Sequence, residues 1–409
     1  MGSTRVNVVN LAGTGGQTRE GIKIVDVLGA SNGNFVLDGD YMFQGQPAVI
    51  AGAYGYRLYK NGIADTADGD WYLRSSLLDP TPVDPDDPAP PPVPPLFQPG
   101  VPIYEAYPAT LLAMNGLPTL QQRVGNRSWA GASPQGSGIW GRMEASRDRP
   151  QASVSTAMAD RDVNRWQGQI GTDATLFRRT DGSALIAGIA GHYGEADADV
   201  RSVYGNGSIK AKGYGVSASL TWYGPQGFYA DAQAKLSWYD SDLRSGMLGK
   251  LVNANKGKGQ AYGLEVGKRS SVGTNLSLTP QMQMIYSKVD FDSFTDPNGA
   301  VVTVGPADSL KTRWGISFDR QTTDDGGRRT HIYGLVNLSY EWLEGVRTEV
   351  SGTHIANRDT RLWSELGLGG SYSLDGRFTL YADISANTAL KDFGDSYSLK
   401  GIVGLRVGF

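Results

Sequence analysis

The sequence has 409 residues, of which 55 are glycine, 10% are aromatic and 19% are charged, with a formal net charge of −3. This length can hold roughly two or three domains, and the composition favours β-structure. The near-neutral charge argues against a nucleic-acid-binding protein, which would carry a basic excess. No stretch approaches the roughly eighteen apolar residues of a transmembrane helix, although a membrane-spanning β-barrel is not excluded. The absence of cysteine rules out a disulfide framework and a thiolate metal site.

The N-terminal region, from Val6 to about Leu78, consists of short β-branched runs separated by clusters of Gly, Asn and Asp. This pattern predicts short strands joined by irregular turns. Residues 53–59 and 70–74 predict a hairpin. Its aromatic core would comprise Tyr54, Tyr56, Tyr59, Trp71 and Tyr72. We interpret residues 1–78 as the capped end of a β-solenoid, because stacked rungs cannot bury their last face alone. The first residues lack the features of a signal peptide, so we expect any signal peptide and upstream domain to precede this sequence.

Proline dominates residues 79–103, which we interpret as an extended linker because proline neither pairs in a sheet nor continues a helix. Residues 104–130 hold the one helix that the sequence predicts, with apolar residues at three- and four-residue spacing up to about Gly125. Gly116 and Pro118 should kink or divide it. A soluble surface helix would show the same pattern. The position between a linker and a long series of strands favours a helix that spans the thickness of a membrane.

The remaining residues, 131–409, alternate between apolar and polar side chains in one run after another, as strands with two different faces do. There are twelve such runs, and bacterial outer-membrane barrels have an even number of strands. The runs cover residues 138–146, 163–178, 183–194, 208–223, 228–239, 257–270, 275–290, 308–321, 330–343, 360–374, 378–385 and 397–409.

The connections between the runs alternate in length. Those after the odd-numbered runs are long or irregular, for example residues 147–162, 240–259 and 343–360, whereas the others are mostly short. Long extracellular loops and short periplasmic turns are typical of outer-membrane barrels. A soluble β-sandwich gives no reason for this alternation.

The last run, residues 397–409, ends on an aromatic residue at the chain terminus. Its apolar row contains Val403, Leu405, Val407 and Phe409. Such an ending resembles the assembly signal of bacterial outer-membrane barrel proteins. An amphipathic strand that closes a soluble sandwich is the alternative for this run taken alone.

The polar rows of the predicted strands would line a barrel of mixed charge. Candidate lining residues are Arg142, Glu144, Arg165, Asp231, Lys235, Glu265, Arg313, Glu341, Glu365, Asp383 and Arg406. On the opposite face, aromatic residues such as Trp222, Trp238 and Trp314 lie near strand ends, as the interfacial girdles of membrane barrels do. A twelve-stranded barrel is wider than one that its own side chains can fill, so one helix could plug it.

Catalytic and metal-binding patterns are weak in this sequence. His192, His331 and His354 are isolated and show no metal-ligand spacing. There is no nucleophile elbow and no phosphate-binding loop. The residues therefore predict no metal, no cofactor and no catalytic site.

Two sets of motifs resemble the autotransporters of type V secretion. The segments GAYGYRLYKNG and DWYLRS in the N-terminal region are similar to the autochaperone junction that closes a pertactin-like β-helical passenger. The segments WGRME, GYGVSASLTWYG, GFYADAQAKLSWYD, AYGLEVGKR, SLKTRWGISF and the terminal GLRVGF are similar to the translocator β-domain. Together the two resemblances cover almost the whole chain.

The resemblance implies an all-β fold, a twelve-stranded barrel with a helix in its lumen. It implies a location in the outer membrane of a Gram-negative bacterium, among outer-membrane lipids, with the N-terminal part at the cell surface. The β-barrel assembly machinery and periplasmic chaperones would insert the barrel as a monomer, and the chain would export its own N-terminal passenger with the help of the autochaperone segment.

Two other functions stay open at this point. Some autotransporters cut their own chain at an Asn-Asn pair in the pore helix, with an acidic residue of the barrel as activator. This sequence has only Asn115-Gly116 and Asn126 in that region, so we expect no such cut. A porin-like channel is the other alternative, but it would leave the linker and the capping segment without a purpose.

Overall fold

The computed structural model describes residues 1–11, 13–79, 93–125, 136–374 and 377–409. It is an all-β protein in which a small N-terminal module sits on a closed twelve-stranded barrel. No helix in these ranges is long and apolar enough to cross a membrane.

The N-terminal module, residues 1–79, contains two small sheets. Its strands are β1 (Ser3–Asn7), β2 (Ile22–Val25), β3 (Asn34–Asp38), β4 (Tyr41–Phe43), β5 (Gln46–Ala51), β6 (Tyr54–Lys60) and β7 (Trp71–Arg74). Strands β1 and β3 pair in parallel, as neighbouring rungs of a solenoid do, and the other five form an antiparallel sheet in the order β2-β7-β6-β5-β4. The predicted hairpin is the β6–β7 pair.

The five aromatic residues predicted as the core of the module do not share one hydrophobic cluster. Tyr56 is buried with Leu37, Val49 and Leu73, and Trp71 is buried edge-on against Phe35, with 5.4 Å between ring centroids.

Tyr59 and Tyr54 are only half-buried. The guanidinium groups of Arg57 and Arg74 lie 5.2 and 5.3 Å from the centroid of the Tyr59 ring, and cation–π contacts of this kind do not require full burial. Tyr72 is buried and donates a 2.7 Å hydrogen bond to Asp68, which raises the pKa of Tyr72 to about 12.

Two helices follow the module: α1 (Val101–Met114) and α2 (Leu120–Val124). The break between them falls where Gly116 and Pro118 predicted it. Helix α1 begins three residues before Tyr104, and residues 93–100, which we assigned to the linker, pack on the module instead. The backbone there bridges Tyr54 to Phe97 and Ser76 to Pro95. Residues 80–92 and 126–135 lie outside the described ranges.

Pro108 lies inside α1 without breaking it. Proline has no N–H to bond to the carbonyl four residues earlier, which here belongs to Tyr104. The hydroxyl of Thr348 donates to that carbonyl oxygen at 3.0 Å. The barrel wall therefore supplies the hydrogen bond that the proline removes.

Twelve strands close the barrel, because the last pairs with the first. These strands are β8 (Gly138–Arg149), β10 (Asp160–Arg178), β11 (Ala184–Arg201), β12 (Gly207–Tyr223), β13 (Phe228–Ser245), β14 (Gly249–Lys268), β16 (Leu276–Phe291), β18 (Val301–Thr323), β19 (Arg329–Glu341), β22 (Leu362–Ser373), β23 (Phe378–Ala389) and β24 (Tyr397–Gly408). All twelve neighbouring pairs are antiparallel, and each strand overlaps one predicted run.

Shorter elements occupy the connections. They are β9 (Ala152–Ser155), β15 (Ser270–Ser271), β17 (Phe294–Thr295), β20 (Val346–Val350), β21 (Thr353–Asp359) and a 3₁₀ turn at Pro225–Gly227. Strands β20, β21 and β9 extend the sheet in that order from β18, at the end of the barrel that carries the long connections predicted to be extracellular.

The outer face of the barrel is apolar between two levels of aromatic side chains. On β13, Phe228 and Trp238 lie ten residues apart and enclose an outward row of Ala and Leu. At about 3.4 Å per residue and a tilt near 40°, the two rings are about 25 Å apart along the membrane normal, the height of the apolar band of outer-membrane barrels. Tyr193, Tyr214 and Trp238 are register partners, so three neighbouring strands share the upper level.

Above this upper level the polarity of the wall is reversed. Outward side chains are charged and paired across strands, as in Lys210 and Asp197, 3.3 Å apart, or Lys256 and Asp240. Most inward side chains here are buried and apolar, and we call these apolar residues of the wall the sleeve. The sleeve comprises Ala196, Ala198, Val200, Ile209, Ala211, Leu243, Leu251, Val289, Phe291, Val302, Val346, Val350 and Ile355.

The sleeve corrects two expectations. Residues 240–259, predicted as a loop, mostly continue β13 and β14, and only three residues connect these strands. The mixed-charge lining does not surround α1 evenly, because the sleeve packs on the helix with apolar side chains while charged residues such as Arg161 and Asp359 line the space beside it.

Candidate functional site: the plugged lumen

Helix α1 lies in the sleeve and is apolar on all sides. Val101, Ile103, Tyr104, Tyr107 and Leu111 are fully buried against the sleeve. A helix that is apolar all round is stable only when it is enclosed, and each large side chain buried in this way contributes roughly 1.5–3 kcal/mol. The sleeve and α1 therefore stabilise each other.

Glu105 fixes the outer end of α1 to the extracellular connections. Its buried carboxylate accepts hydrogen bonds from the backbone N–H of Ala157 at 2.6 Å, from the side-chain amide of Asn357 at 2.9 Å and from the hydroxyl of Ser155. Tyr104 donates to Asp296 at 2.8 Å on the adjacent β16–β18 connection. These bonds explain how a carboxylate is tolerated in an apolar helix.

The inner end of α1 meets two cationic side chains of the wall. Helices end with unpaired carbonyl groups and a partial negative charge. Arg165 Nη1 donates to the carbonyl oxygen of Ala113 at 2.9 Å, and Lys235 Nζ donates to that of Met114 at 2.9 Å. The wall therefore caps the helix that ends inside the lumen.

Asn115 occupies the break between the helices and is fully buried. Its side-chain Nδ2 donates to the carbonyl oxygen of Gln260 at 2.9 Å and to Ser287 Oγ at 2.8 Å, while its Oδ1 accepts from Tyr239 at 3.2 Å. Gln233 and Gln283 both donate to the carbonyl oxygen of Pro118, at 2.9 and 3.0 Å. The irregular backbone at the break is thus bonded to the barrel wall.

Helix α2 begins with a capping box, in which Thr119 Oγ1 accepts from the backbone N–H of Gln122 and the Gln122 side chain accepts from that of Thr119. Glu265 of β14 accepts from the N–H of Leu120 at 3.1 Å. At the other end, Tyr381 of β23 donates to the carbonyl oxygen of Arg123 at 2.8 Å. Since β14 and β23 lie well apart around the barrel, α2 extends across the lumen.

Arg123 binds α2 to the wall through buried charges. Its guanidinium lies 2.6 Å from Asp231 Oδ1 and 3.9 Å from Asp173 Oδ1, and it donates to Ser219 at 2.9 Å and to Thr221 at 3.2 Å. Removing one partner of such a pair leaves an uncompensated buried charge, at a cost of roughly 3–5 kcal/mol. Arg123 is therefore the strongest single polar attachment of α2.

Polar networks of the wall fill the lumen beside α2. Asp319 lies 2.6 Å from His331 Nε2 and 3.3 Å from Arg269 Nη2, and Tyr333 donates to Asp383 at 2.7 Å. Within the described ranges no three side chains gather as metal ligands.

All the lining candidates have buried or half-buried side chains on the lumen face. Arg142, Asp231, Lys235, Glu265, Glu365, Asp383 and Arg406 are buried, and Glu144, Arg165, Arg313 and Glu341 are half-buried. Of the terminal apolar row, Val403, Leu405 and Phe409 are exposed on the outer face, and Val407 is partly exposed.

The helices α1 and α2 and the break between them together form the plug of the lumen, and sequence reasoning missed several side chains that hold it in place. They are Glu105, Asn115, Arg123, Asp173, Gln233, Gln283 and Tyr381. A signal was available for Arg123, the only basic residue in residues 104–125. A charged group in a helix expected to fill a pore needs a partner of opposite sign on the wall.

A closed barrel with an apolar outer band and a helical plug defines a β-barrel protein of the outer membrane of Gram-negative bacteria. Residues 139–385 match the family described as autotransporter beta-domain, and residues 1–58 match the autochaperone domain type 1. The chain belongs to the autotransporter family.

Curated relatives agree with this assignment. The adhesin BmaC autotransporter of Brucella suis is 45% identical over 99% of this chain, and the autotransporter adhesin AIDA-I of Escherichia coli is 24% identical over the whole of this chain. This chain spans only 12% of the length of BmaC and 31% of that of AIDA-I.

Solved structures share the fold. The transport unit of AIDA-I from Escherichia coli has a TM-score of 0.63 at 16% identity, covering 76% of this chain and all of that one. The beta domain of the Bordetella autotransporter BrkA has a TM-score of 0.53 at 22% identity, covering 67% of this chain and all of that one.

Proposed function

We propose that this chain is the translocator and outer-membrane anchor through which its own N-terminal region reaches the cell surface. The observation that carries the proposal is the course of the chain. The N-terminal module lies at the extracellular mouth, residues 93–125 descend through the lumen, and β8 starts at the periplasmic end. A chain with this course has passed its N-terminal part through the barrel.

The N-terminal module would promote folding of the exported chain from the mouth of the barrel. Its match to an autochaperone domain supports this role, and so do its contacts with the barrel mouth. Phe97 packs edge-on against Tyr204 of the β11–β12 connection, at 5.3 Å between ring centroids, and one hydrophobic cluster joins Phe43 and Ile50 to the sleeve. A folded module on the barrel would offer a template for the residues that precede it.

The division of labour that we propose follows the elements: a folding module at residues 1–79, a linker, a plug at 101–125 and a barrel at 138–409. The β-barrel assembly machinery and periplasmic chaperones would insert the barrel by recognising the apolar row of β24. A closed barrel leaves no free strand edge, which supports a monomer. We also propose that the chain performs no self-cleavage.

The experiment that tests export is surface display of an epitope at the N-terminus. In intact cells, external protease should remove the epitope from the full chain. A control lacking residues 397–409 should not display it. If the epitope stays protected while the barrel is assembled, as shown by faster migration of unheated than of heated protein on a denaturing gel, the proposal is wrong.

A further inference from the structure

The plug consists of two pieces, and they fill the lumen differently. A chamber of about 380 Å³ lies beside α1, between Leu112 on the helix and Ser339 and Lys400 on the wall. It extends up to the extracellular connections at Pro150 and Thr360. Helix α1 therefore occupies only part of the cross-section at this level.

The chamber ends at α2. Its lower boundary includes Pro118, Gln122 and Arg142. Below it, Leu120 and Val124 pack on Trp140, Ile186 and Tyr223 in the one hydrophobic cluster found in the lower lumen of the described chain.

At the level of α2, attachments reach strands on opposite sides of the barrel. Arg123 bonds to Thr221 and Asp231 on β12 and β13, and its carbonyl accepts from Tyr381 on β23. Gly125, with a φ of +65°, lies against the Tyr381 ring and ends the helix there.

We propose that the five-residue helix α2, held across the lumen by Arg123, is the seal of the pore, and that α1 is an anchor beside a chamber open to the cell surface. Arg123 is a positioning residue in this arrangement, because it acts through the placement of α2. The inference rests on the proposed translocator function for the orientation of the barrel, but the seal can be tested without any export.

The test uses single cysteines, which the native chain lacks. Ser339 lines the chamber above α2. Ser373 lies on the lumen face near the periplasmic end of β22 and pairs with Thr379, two residues below Tyr381. Ser339→Cys and Ser373→Cys each place one thiol on one side of the proposed seal.

Each variant is reconstituted into liposomes and treated from outside with a small membrane-impermeant thiol reagent. A barrel inserted with its extracellular end outward exposes only the thiol at position 339, and a barrel inserted the other way exposes only the thiol at position 373. The labelled fractions of the two variants should therefore add up to the whole population. Adding Arg123→Gln should abolish the protection, so that both thiols are labelled completely. Leu112→Ala, which alters only α1 at the chamber, should leave the complementary fractions unchanged.

Two results would overturn the inference: complete labelling of both thiols in the native background, or complementary labelling that persists with Arg123→Gln. Heat-dependent gel migration checks that the variants are folded. If Arg123→Gln does not fold, Tyr381→Phe removes only the hydroxyl bonded to α2 and should reduce the protected fraction. Protection that is unchanged in a folded Tyr381→Phe barrel would then count against the seal. Failure of the seal would leave surface display intact, so the two proposals fail separately.

Discussion

Asn115 is the residue on which an enzymatic role would depend. For an asparagine to attack a backbone carbonyl, its amide nitrogen must be free and a base must take its proton. The Asn115 amide is instead bonded to Gln260, Ser287 and Tyr239, and none of its hydrogen-bond partners in the described structure is a carboxylate. These contacts support a structural amide that fixes the break in the plug.

An assembled sample should accordingly contain one polypeptide of 43.8 kDa by mass spectrometry. The contrary outcome is a homogeneous barrel fragment that begins within residues 110–126 and disappears with Glu144→Gln, Asp231→Asn or Glu265→Gln. A slow, partial break at Asn115-Gly116 that ignores these substitutions would be uncatalysed deamidation chemistry and would not count.

At the scale of the elements, one hydrophobic cluster joins the N-terminal module to the barrel mouth, and other aromatic contacts lie wholly within the module. Phe97 belongs to the cluster that continues into the sleeve, whereas Trp71 packs on Phe35 within the module. Truncating a buried aromatic side chain to alanine costs roughly 3–5 kcal/mol. A substitution at Trp71 therefore destabilises the module alone, whereas one at Phe97 also weakens the contact between the module and the barrel.

Trp71→Ala should make residues 1–79 sensitive to protease and leave unchanged the temperature at which the barrel loses its fast gel migration. Phe97→Ala should lower that temperature as well, because it opens a cavity next to Tyr204. If both variants lower it equally, module and barrel unfold as one unit and the proposed division between them is wrong.

The strands were predictable because a period of two survives in every membrane-spanning segment, for example in Phe228, Ala230 and Ala232 of β13. The helix break was predictable because Gly and Pro disrupt helices locally. The contacts of Arg123 and Asn115 were not, since they join residues that are about a hundred or more positions apart. Residues 240–259 were mistaken for a loop because a charged outward row there looks like a solvated connection.

For the whole molecule, the terminal strand offers a test of assembly. Phe409 is 80% exposed at the end of the outward apolar row of β24. We expect Phe409→Asp to impair insertion, because the assembly machinery would meet a charge in place of the terminal aromatic ring. The measurement is the yield of heat-modifiable barrel in the outer membrane.

Phe393 provides the matched control for this prediction. It is 74% exposed in the connection between β23 and β24, outside the apolar row. Phe393→Asp should assemble normally. Equal yields of the two variants would refute the role of Phe409 as a signal.

The barrel wall is apolar on its outer face within the membrane and on its inner face in the sleeve, and the sequence shows where one pattern gives way to the other. Along β12, apolar residues occupy the even, outward positions from Trp222 back to Tyr214, whereas above Tyr214 the outward positions carry Lys212 and Lys210 and the inward positions carry Ala211 and Ile209. The alternation of apolar and polar residues keeps its period of two, but the apolar row moves from the outer to the inner face. We call this exchange the phase change, and it occurs at Tyr214, the register partner of Tyr193 and Trp238.

The residue at which the phase change occurs therefore marks where the strand leaves the lipid. A one-residue insertion after Gly213 would cancel it, since a slip of one position exchanges the two faces of a strand. Lys210 and Lys212 would then point at α1, and Ile209 and Ala211 would extend the lipid-facing apolar row of β12 into water.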